Sequence, residues 1–540
     1  MTAVFEKRRS LLAFWLGCAA VTGGVLTHVP MFLMGRSTHY MLAGMPMGAS
    51  MVIGMFAIVG GIALAGFGLL PNVAHRAHDT VELISPPENA PLTARHWTVA
   101  ALLALALIID IMKPASLGFV TPGMRAEYGI GVATVAWLPF AALAGTVVGS
   151  FVWGALADLY GRRAAILLSS VMFIGTSICG AMPNFWWNVG MCFLMGAAAG
   201  GMLPVAYALL AEIMPTRHRG WSLVLIGGIG AIGGFFAASS LSALLQPTFG
   251  WRVMWLLNFP TGLLLVLMSP FLPESVRFLQ QMGRAEEARA VLARFGVTVQ
   301  RFADAGGSDT APPRQTRRPP ASAVQPALGG LTVALTIAAL SWSLVNFGVL
   351  LWLPSALVAQ GQSVAAASAL IAKSTLVAAP IILVSTWLYS RWSTKGCLIV
   401  MLATTVLGLC GVMLRFEAHV GFGSSLLEVV LIIIGSSGVI AVLLPYASEN
   451  YPVRMRGRAT GWVAGCSKIG GLLAQALGVL GLAPSIAVAA AAAGVPALIA
   501  LLLVARYGKE TRLRDLRELE ANDSLATPSP SQVLTGSPYP

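Results

Sequence analysis

The chain has 540 residues, of which 57% are hydrophobic and only 10% are charged, and its formal net charge is +13. Soluble domains carry about 25% charged residues, so this composition excludes an ordinary water-soluble protein and indicates an integral membrane protein. The apolar runs are continuous rather than alternating, which predicts membrane-spanning helices.

Fourteen apolar runs are long enough to cross a hydrocarbon layer about 30 Å thick as helices. In chain order the predicted spans are 10–34, 47–70, 97–119, 133–153, 163–182, 186–211, 221–244, 251–272, 328–355, 365–390, 397–415, 424–447, 458–480 and 484–507. The polar stretch 273–327 separates six spans in 97–272 from six in 328–507. It begins as an amphipathic surface helix and continues as a linker rich in proline and arginine. Residues 1–96 add a two-helix hairpin with its linker, and 508–540 are expected to form a disordered cytoplasmic tail.

Lysine and arginine in the loops predict the orientation of the chain. If both termini and the loop 273–327 are cytoplasmic, 27 of the 34 lysines and arginines lie in inner loops and tails and 4 lie in outer loops, while three lysines lie inside spans. The net positive charge then follows from topology, and no nucleic-acid partner is expected. We expect a multi-pass, monomeric protein in the lipid bilayer of a plasma membrane of the bacterial inner-membrane type.

The two six-span segments repeat a motif. The pattern E-x-x-P-x-R-x-R-G begins at Glu212, directly after the sixth span, and again at Glu449, directly after the twelfth. The segment Glu274-Ser-Val-Arg277 likewise has an echo in Glu510-Thr-Arg512. Two copies of one six-helix unit, related by an axis along the membrane normal, are typical of secondary transporters that bind substrate near mid-membrane between the halves.

Three further motifs carry a family resemblance. GALADLYGRR at 154–163 resembles the signature loop of the major facilitator superfamily, G-x-L-x-D-x-x-G-R-R. PESVRFL at 273–279 resembles the PESPRWL motif of its sugar-porter-like members, and WLP at 352–354 resembles a motif of its organic-acid symporters. The resemblance covers about 97–510. It implies an all-α integral membrane protein with two six-helix halves, here with two extra N-terminal helices, and it is closest to the sugar-porter-like branch and the branch of proton symporters for organic, including aromatic, acids.

The motifs supply a set of residues expected to act as a gate at the cytoplasmic helix ends. Carboxylates and guanidinium groups form charge-assisted bonds between helices, and glycine permits tight turns and close helix approach. The alternative is a positively charged loop without a gating role. The corresponding loop of the second half, 389–396, lacks the acidic residue, so symmetric gating by this loop is not expected. The predicted gating residues are Gly154, Asp158, Gly161, Arg162, Arg163, Glu212, Arg217, Arg219, Glu274, Arg277, Glu449, Arg454 and Arg456.

Four ionisable residues, Asp110, Lys113, Lys373 and Lys468, interrupt the apolar spans. One charge at the bilayer centre costs at least about 2.5–3.5 kcal/mol, and the cost is lower in a water-filled cavity. Asp110 lies 13 residues after the start of its predicted span, and Lys113 at i+3 shares its helix face. We therefore predict that the four residues bind substrate and proton, and that their net positive charge suits an anion. Alternatively, Asp110 and Lys113 only neutralise each other, and Lys373 extends toward the membrane surface.

The resemblance adds an expectation for two of these residues. Aromatic-acid symporters carry an acidic residue in core helix one and a basic residue in core helix eleven, and Asp110 and Lys468 match these positions by type. Tyr207, Trp342, Asn346 and Phe347 are further candidates for the cavity wall.

The predicted function is secondary active transport, with proton-coupled symport of a small organic anion such as a carboxylate. The alternatives are a transporter of a sugar-like or drug substrate, and a copper transporter that uses the N-terminal hairpin. Met47, Met51 and Met55 recur there at intervals of four residues. Soft thioether and imidazole ligands bind Cu(I), although methionine more often fills apolar gaps. No enzyme activity, cofactor or metal is expected for the leading function, because no His/Cys/Glu cluster offers a catalytic metal site. The chain also lacks a G-x-x-x-x-G-K-[ST] nucleotide-binding loop, which argues against ATP-driven transport.

Overall fold

The computed structural model describes residues 8–70, 91–296, 326–417, 426–451, 453–482 and 484–512. This part of the chain is built from helices. The membrane helices are α1 (Arg9–Thr38), α2 (Ala49–Leu69), α3 (Ala94–Tyr128), α4 (Val132–Tyr160), α5 (Arg162–Ala181), α6 (Phe185–Ile213), α7 (Arg217–Phe249), α8 (Val253–Phe271), α9 (Gly329–Ala359), α10 (Val364–Trp392), α11 (Thr394–Arg415), α12 (Leu426–Asn450), α13 (Val453–Val479) and α14 (Ile486–Tyr507).

The predicted all-α membrane architecture is confirmed. Thirteen helices in the described part of the chain are long and apolar enough to cross a membrane. Helix α13, which is 27 residues long, occupies the position of the remaining predicted span. Several helices extend beyond the predicted spans because hydropathy detects only their apolar centres. Helix α3 has 35 residues rather than the predicted 97–119, begins with a capping box formed by Thr93 and His96, and ends at Gly129 with φ +62°.

The packing of the helices repeats with an offset of six. Within the first set, α3 packs on α7, α4 on α6, and α5 on α8; within the second, α9 packs on α13, α10 on α12, and α11 on α14. The two sets meet where α4 contacts α13 and where α7 contacts α10, which are equivalent pairs under the same offset. The repeated sequence motifs therefore belong to a repeated pattern of helix packing.

The two extra N-terminal helices pack closely through small residues. A Cβ added at Gly17 would lie 2.5 Å from the backbone nitrogen of Ala65, and one added at Gly68 would lie 2.5 Å from the backbone nitrogen of Phe14. Both α1 and α2 pack against α5. The hairpin is thus attached to the first set of six helices.

The central loop begins with two short helices, Val276–Gln281 and Ala285–Arg294, where the sequence suggested one surface helix. The break falls at Gly283, whose φ of +72° lies in the left-handed region that favours glycine. Residues 297–325, which include the predicted Pro/Arg-rich linker, and residues 513–540 of the predicted tail lie outside the described residues.

Candidate functional site

A cavity of about 60 Å³ lies between the two sets of six helices. The carboxyl group of Asp110, on α3, and the ammonium group of Lys468, on α13, belong to its lining. One residue comes from each set of helices, as expected for a site between two repeated halves. Further groups that can form hydrogen bonds are supplied by Thr146, Tyr207, Trp342, Asn346, Ser436 and Ser437.

Asp110 has an unused hydrogen-bonding capacity. Its side chain is buried, at 7% exposed, and its Oδ1 atom has no hydrogen-bond partner among the described residues. Such orphaned groups are uncommon in folded proteins and often mark functional positions. Asp110 is therefore available to hold a proton or to contact a polar group of a ligand.

Lys113 does not line this cavity. Its side chain is 1% exposed, and its Nζ atom lies 3.2 Å from the ring centroid of Phe173 on α5. No ion pair joins it to Asp110 within the described residues. Successive helical residues are about 100° apart, so residues at i and i+3 diverge by about 60° and can face different neighbours in a crowded bundle.

The structure brings together two of the four predicted intramembrane residues. Lys373 has an exposed side chain on α10, and the cavity lining does not include it. Asp110 and Lys468 alone of the four face the central cavity. If both residues are ionised, the net charge of the cavity is about zero, whereas the four residues together were expected to give a net positive charge.

The wall of the cavity contains an irregular turn of α9. Residues Val345–Leu350 form a π-helical turn, and its members Asn346 and Phe347 line the cavity. The side-chain amide of Gln475 donates a hydrogen bond to the carbonyl oxygen of Phe347. The ring of Trp342 lies edge-on to that of Phe347, with centroids 5.8 Å apart. π-Helical turns often occur at functional sites, and here the turn presents an aromatic wall beside an amide.

The predicted gating motif forms a compact network near the start of α5. Gly161 has φ +100°, and a Cβ added there would lie within 3 Å of the Glu274 carboxylate. Glu274 Oε1 accepts hydrogen bonds from the backbone N–H of Arg163 at 3.3 Å and of Ser275 at 2.8 Å. Burial raises the pKa of Glu274 above its usual value, although these bonds and the neighbouring arginines lower it. Because residue 161 has no Cβ, the buried Glu274 carboxylate can pack against the N-terminus of α5.

Arg162 connects this network to α6. Its Nη2 atom lies 3.3 Å from Asp158 Oδ1 and 3.5 Å from Glu212 Oε1. Glu212 also accepts a hydrogen bond from the hydroxyl of Ser275. Arg163 donates from Nη2 to the carbonyl oxygen of Ser269 at 2.7 Å. These contacts tie the ends of α4, α5, α6 and α8 together.

A second network occupies the equivalent position in the other set of helices. Glu510 accepts hydrogen bonds from the backbone N–H of Thr394 at 3.0 Å and from its hydroxyl at 2.7 Å. The hydroxyl of Thr511 donates to Glu449 Oε2 at 2.8 Å. Glu510, Thr511 and Glu449 therefore stand where Glu274, Ser275 and Glu212 stand in the first network, although the loop between α10 and α11 has lost the acidic residue of the signature.

The pKa of Glu510 departs from its usual value in the opposite direction to that of Glu274. Burial opposes ionisation of the Glu510 carboxyl, but hydrogen bonds from Ser393, Thr394 and the backbone of Arg512 lower its pKa to about 2. The second network reaches α7 of the first set of helices, because a Cβ added at Gly220 would lie 2.7 Å from Glu449 Oε1. We call the side of the molecule that carries both networks the Glu274 face.

The remaining predicted gating residues are less well placed in this conformation. A Cβ added at Gly154 would meet nothing within 4 Å, so the expected close helix approach is absent there. Arg217 and Arg277 have exposed side chains, and Arg219 is half-buried. The side chains of Arg454 and Arg456 lie outside the described residues.

The sequence did not predict a buried ion pair near the C-terminal end of α3. We call the side of the molecule that carries this pair the Glu127 face. Arg252 is 0% exposed, and its Nη2 atom lies 2.6 Å from Glu127 Oε1. Glu127 also accepts hydrogen bonds from the indole N–H of Trp251 at 2.7 Å and from the backbone N–H groups of Leu42 and Ala43 at 2.7 and 2.9 Å. The pair joins α3, the start of α8 and the linker between α1 and α2. The only signal was local, because the motif Gly250-Trp251-Arg252 stands at the start of the eighth predicted span.

The sequence of this chain is similar to those of known proteins. Residues 102–475 match the family model described as Major Facilitator Superfamily. The niacin transporter NiaP of Acinetobacter baylyi is 25% identical over 401 residues, which cover 73% of this chain and 89% of that protein. A gallate transporter of Pseudomonas putida is 29% identical over 448 residues, covering 79% of this chain and 95% of that protein.

A solved structure shows the same fold. The partially occluded, inward-open structure of the xylose transporter XylE from E. coli matches with a TM-score of 0.61 at 17% sequence identity. The match covers 78% of this chain and 100% of XylE. The predicted fold of two six-helix halves preceded by a two-helix hairpin is confirmed.

Proposed function

The chain belongs to the major facilitator superfamily, and on that premise we propose that it transports an aromatic or related organic carboxylate together with protons. Niacin and gallate, the compounds for which two relatives are named, are both aromatic carboxylic acids. The observation that carries the proposal is the central cavity, where Asp110 and Lys468 face one space from the two halves.

The cavity offers a complementary group to each part of such a substrate. The ammonium group of Lys468 attracts the carboxylate, and the rings of Trp342 and Phe347 provide an aromatic wall. Asn346 and Tyr207 can form hydrogen bonds to ring substituents. This combination of aromatic wall and one cation favours an aromatic anion over a neutral sugar.

The second charge in the cavity supports the proposal of proton coupling. An ionised Asp110 and a carboxylate substrate would repel each other in so small a space. We propose that the substrate binds while Asp110 carries a proton, so that substrate and proton cross the membrane together. Lys113 and Lys373, which lie outside the cavity lining, are not needed for this step.

The networks of the Glu274 face are proposed to act as the gate. They tie helix ends within each half, at the side where 97–272 and 328–507 have to separate for the cavity to open. We place this face and both termini on the cytoplasmic side of a bacterial plasma membrane, because most of the basic loop residues lie there. The chain is proposed to act as a monomer.

Uptake into proteoliposomes tests the proposal. The purified full-length chain is supplied with radiolabelled benzoate, nicotinate or gallate, and with xylose and Cu(I) for the two alternative functions. We expect a carboxylate to accumulate when the outside is acidic, and a protonophore to abolish the accumulation. Uptake of xylose or copper without uptake of any carboxylate would contradict the proposed substrate class. Carboxylate uptake that ignores the pH gradient would contradict proton coupling.

A further inference from the structure

A second pocket, of about 450 Å³, opens on the Glu127 face. It is bounded by the last turn of α3, by α9, by the end of α13 and by the first turns of α14. Its walls are mainly apolar and include Leu344, Trp352, Leu477 and Ile486. The pocket has ample room for a single aromatic ring with its substituents.

The pocket and the central cavity share one structural element. Gly348 lines the pocket, while Asn346 and Phe347 line the cavity, and all three belong to the π-helical turn Val345–Leu350 of α9. Helix α13 likewise lines both, with Lys468 in the cavity and Leu477 in the pocket. The π-helical turn and α13 therefore form part of the wall of both spaces.

One cation in the pocket has an unused donor. Arg125 lines the pocket, and its Nε–H is buried without a hydrogen-bond partner among the described residues. Its position in the last turn of α3 is favourable for a cation, because of the partial negative charge at a helix C-terminus. That interaction does not supply an acceptor for the buried N–H, and leaving such a donor unsatisfied is costly.

Other arginines on this face are arranged differently. Arg252 is bound to Glu127, and Arg415 lies 2.5 Å from Glu428. Arg36 has an exposed side chain that water can satisfy. Arg125 differs from these three because it combines a buried donor, an apolar pocket and the absence of a carboxylate partner in the described part of the chain.

We infer that this pocket is a second binding site for an aromatic carboxylate, with the carboxylate on the Arg125 guanidinium and the ring against Trp352 and Leu344. A planar guanidinium is well suited to hold a carboxylate through two parallel hydrogen bonds. The inference rests on the proposed function, because it assigns to the pocket the same class of compound as the central cavity. The site would hold the substrate at the Glu127 face before it passes the π-helical turn into the cavity.

The test measures binding and transport with [14C]benzoate on the full-length protein. We expect two benzoate molecules per wild-type chain and one per Arg125→Gln chain. In proteoliposomes, Arg125→Gln should raise the KM for uptake from the Glu127 face about tenfold, with kcat unchanged and with the KM from the Glu274 face unchanged. Arg125→Lys, which keeps the charge but not the planar fork, should give an intermediate KM.

Two further variants serve as control and as an independent probe. Arg36→Gln removes the same charge from an exposed position of the chain and should leave every value at the wild-type level. Ala492→Phe fills the pocket from an exposed lining position without altering its charge, and should reproduce the loss of the second benzoate. It keeps the inference testable if Arg125→Gln does not fold.

The outcomes separate this inference from the proposed function. If a carboxylate is transported but Arg125→Gln and Ala492→Phe keep two bound benzoates and the wild-type KM, the second site does not exist and the proposed function stands. A KM that rises equally from both faces would also overturn the inference, because it indicates damage to the central site. If the wild type transports no carboxylate, the proposed function fails, and the loss or retention of benzoate binding in Arg125→Gln still decides whether the pocket binds an anion.

Discussion

Substitution of Glu127 by glutamine should destabilise the protein strongly, although Glu127 is far from the central cavity. The Arg252 side chain is 0% exposed and the Glu127 side chain only 4% exposed. Glutamine keeps one oxygen acceptor but places an NH₂ group where Arg252, Trp251 or the linker amides donate. Removal of one partner of a buried ion pair costs about 3–5 kcal/mol, because the other charge remains buried without compensation.

Two variants identify the cause of this loss. Glu286 forms the same type of pair with Arg289 at 2.8 Å, but its side chain is 81% exposed. Glu286→Gln should therefore cost about 1 kcal/mol or less. The double variant Glu127→Gln/Arg252→Met removes the orphaned charge and should recover part of the stability lost in Glu127→Gln alone.

The free energy of unfolding is measured by titration with sodium dodecyl sulfate in detergent micelles, with loss of helical circular dichroism as the signal. Limited proteolysis of residues 35–48 supplies a local readout, because the N–H groups of Leu42 and Ala43 lose their carboxylate acceptor. A Glu127→Gln variant as stable as Glu286→Gln, with the linker still protected, would show that the buried pair does not hold this face together.

The remaining predictions concern the cavity and the second carboxylate network. Asp110→Asn should abolish accumulation driven by a pH gradient but retain counterflow, which needs no net proton movement; uphill accumulation with an unchanged pH optimum would mean that another group carries the proton. Lys468→Ala should weaken carboxylate binding about tenfold or more in equilibrium binding, whereas Lys373→Gln, which changes an exposed lysine outside the lining, should bind normally. Because the pKa of Glu510 is lowered to about 2 in the folded protein, its ionised form stabilises the fold above pH 4.5 and this contribution is lost as the pH falls toward 2. The stability difference between wild type and Glu510→Gln should therefore be constant at pH 6–8 and shrink below pH 4.5; a difference that grows on acidification would contradict the assigned hydrogen bonds.

The sequence predicted the membrane helices well because hydropathy is local and accumulates over about 20 residues. It also indicated that Glu212 and Glu449 occupy equivalent positions, since a repeated motif implies a repeated position. Contacts between residues that are far apart in the sequence were harder to predict. Glu127 and Arg252 are 125 residues apart, and the motif Gly250-Trp251-Arg252 does not indicate which residue pairs with Arg252.

Asp110 and Lys113 show why helical spacing alone was insufficient for the site. Spacing places residues at i and i+3 on neighbouring parts of one helix surface, but the packing partners decide what each side chain contacts. Here the neighbour of Lys113 is the ring of Phe173, on a helix that also carries the N-terminal hairpin. Asp110 instead faces the space shared with Lys468. The position of α5 therefore separates two charges that the sequence suggested were a pair.

The two carboxylate networks show that the internal repeat conserves position but not chemistry. Glu274 covers the start of a helix that begins with Arg162 and Arg163, whereas Glu510 covers one that begins with Thr394. Hydroxyl and amide donors stabilise the ionised form of Glu510 and lower its pKa. Burial instead raises the pKa of Glu274 and favours its neutral form. Acidification on this face should consequently loosen the first network before the second. If the networks act as the proposed gate, the two halves will not contribute equally to its opening, and neutralising Glu274 should alter the pH dependence of transport more than neutralising Glu510.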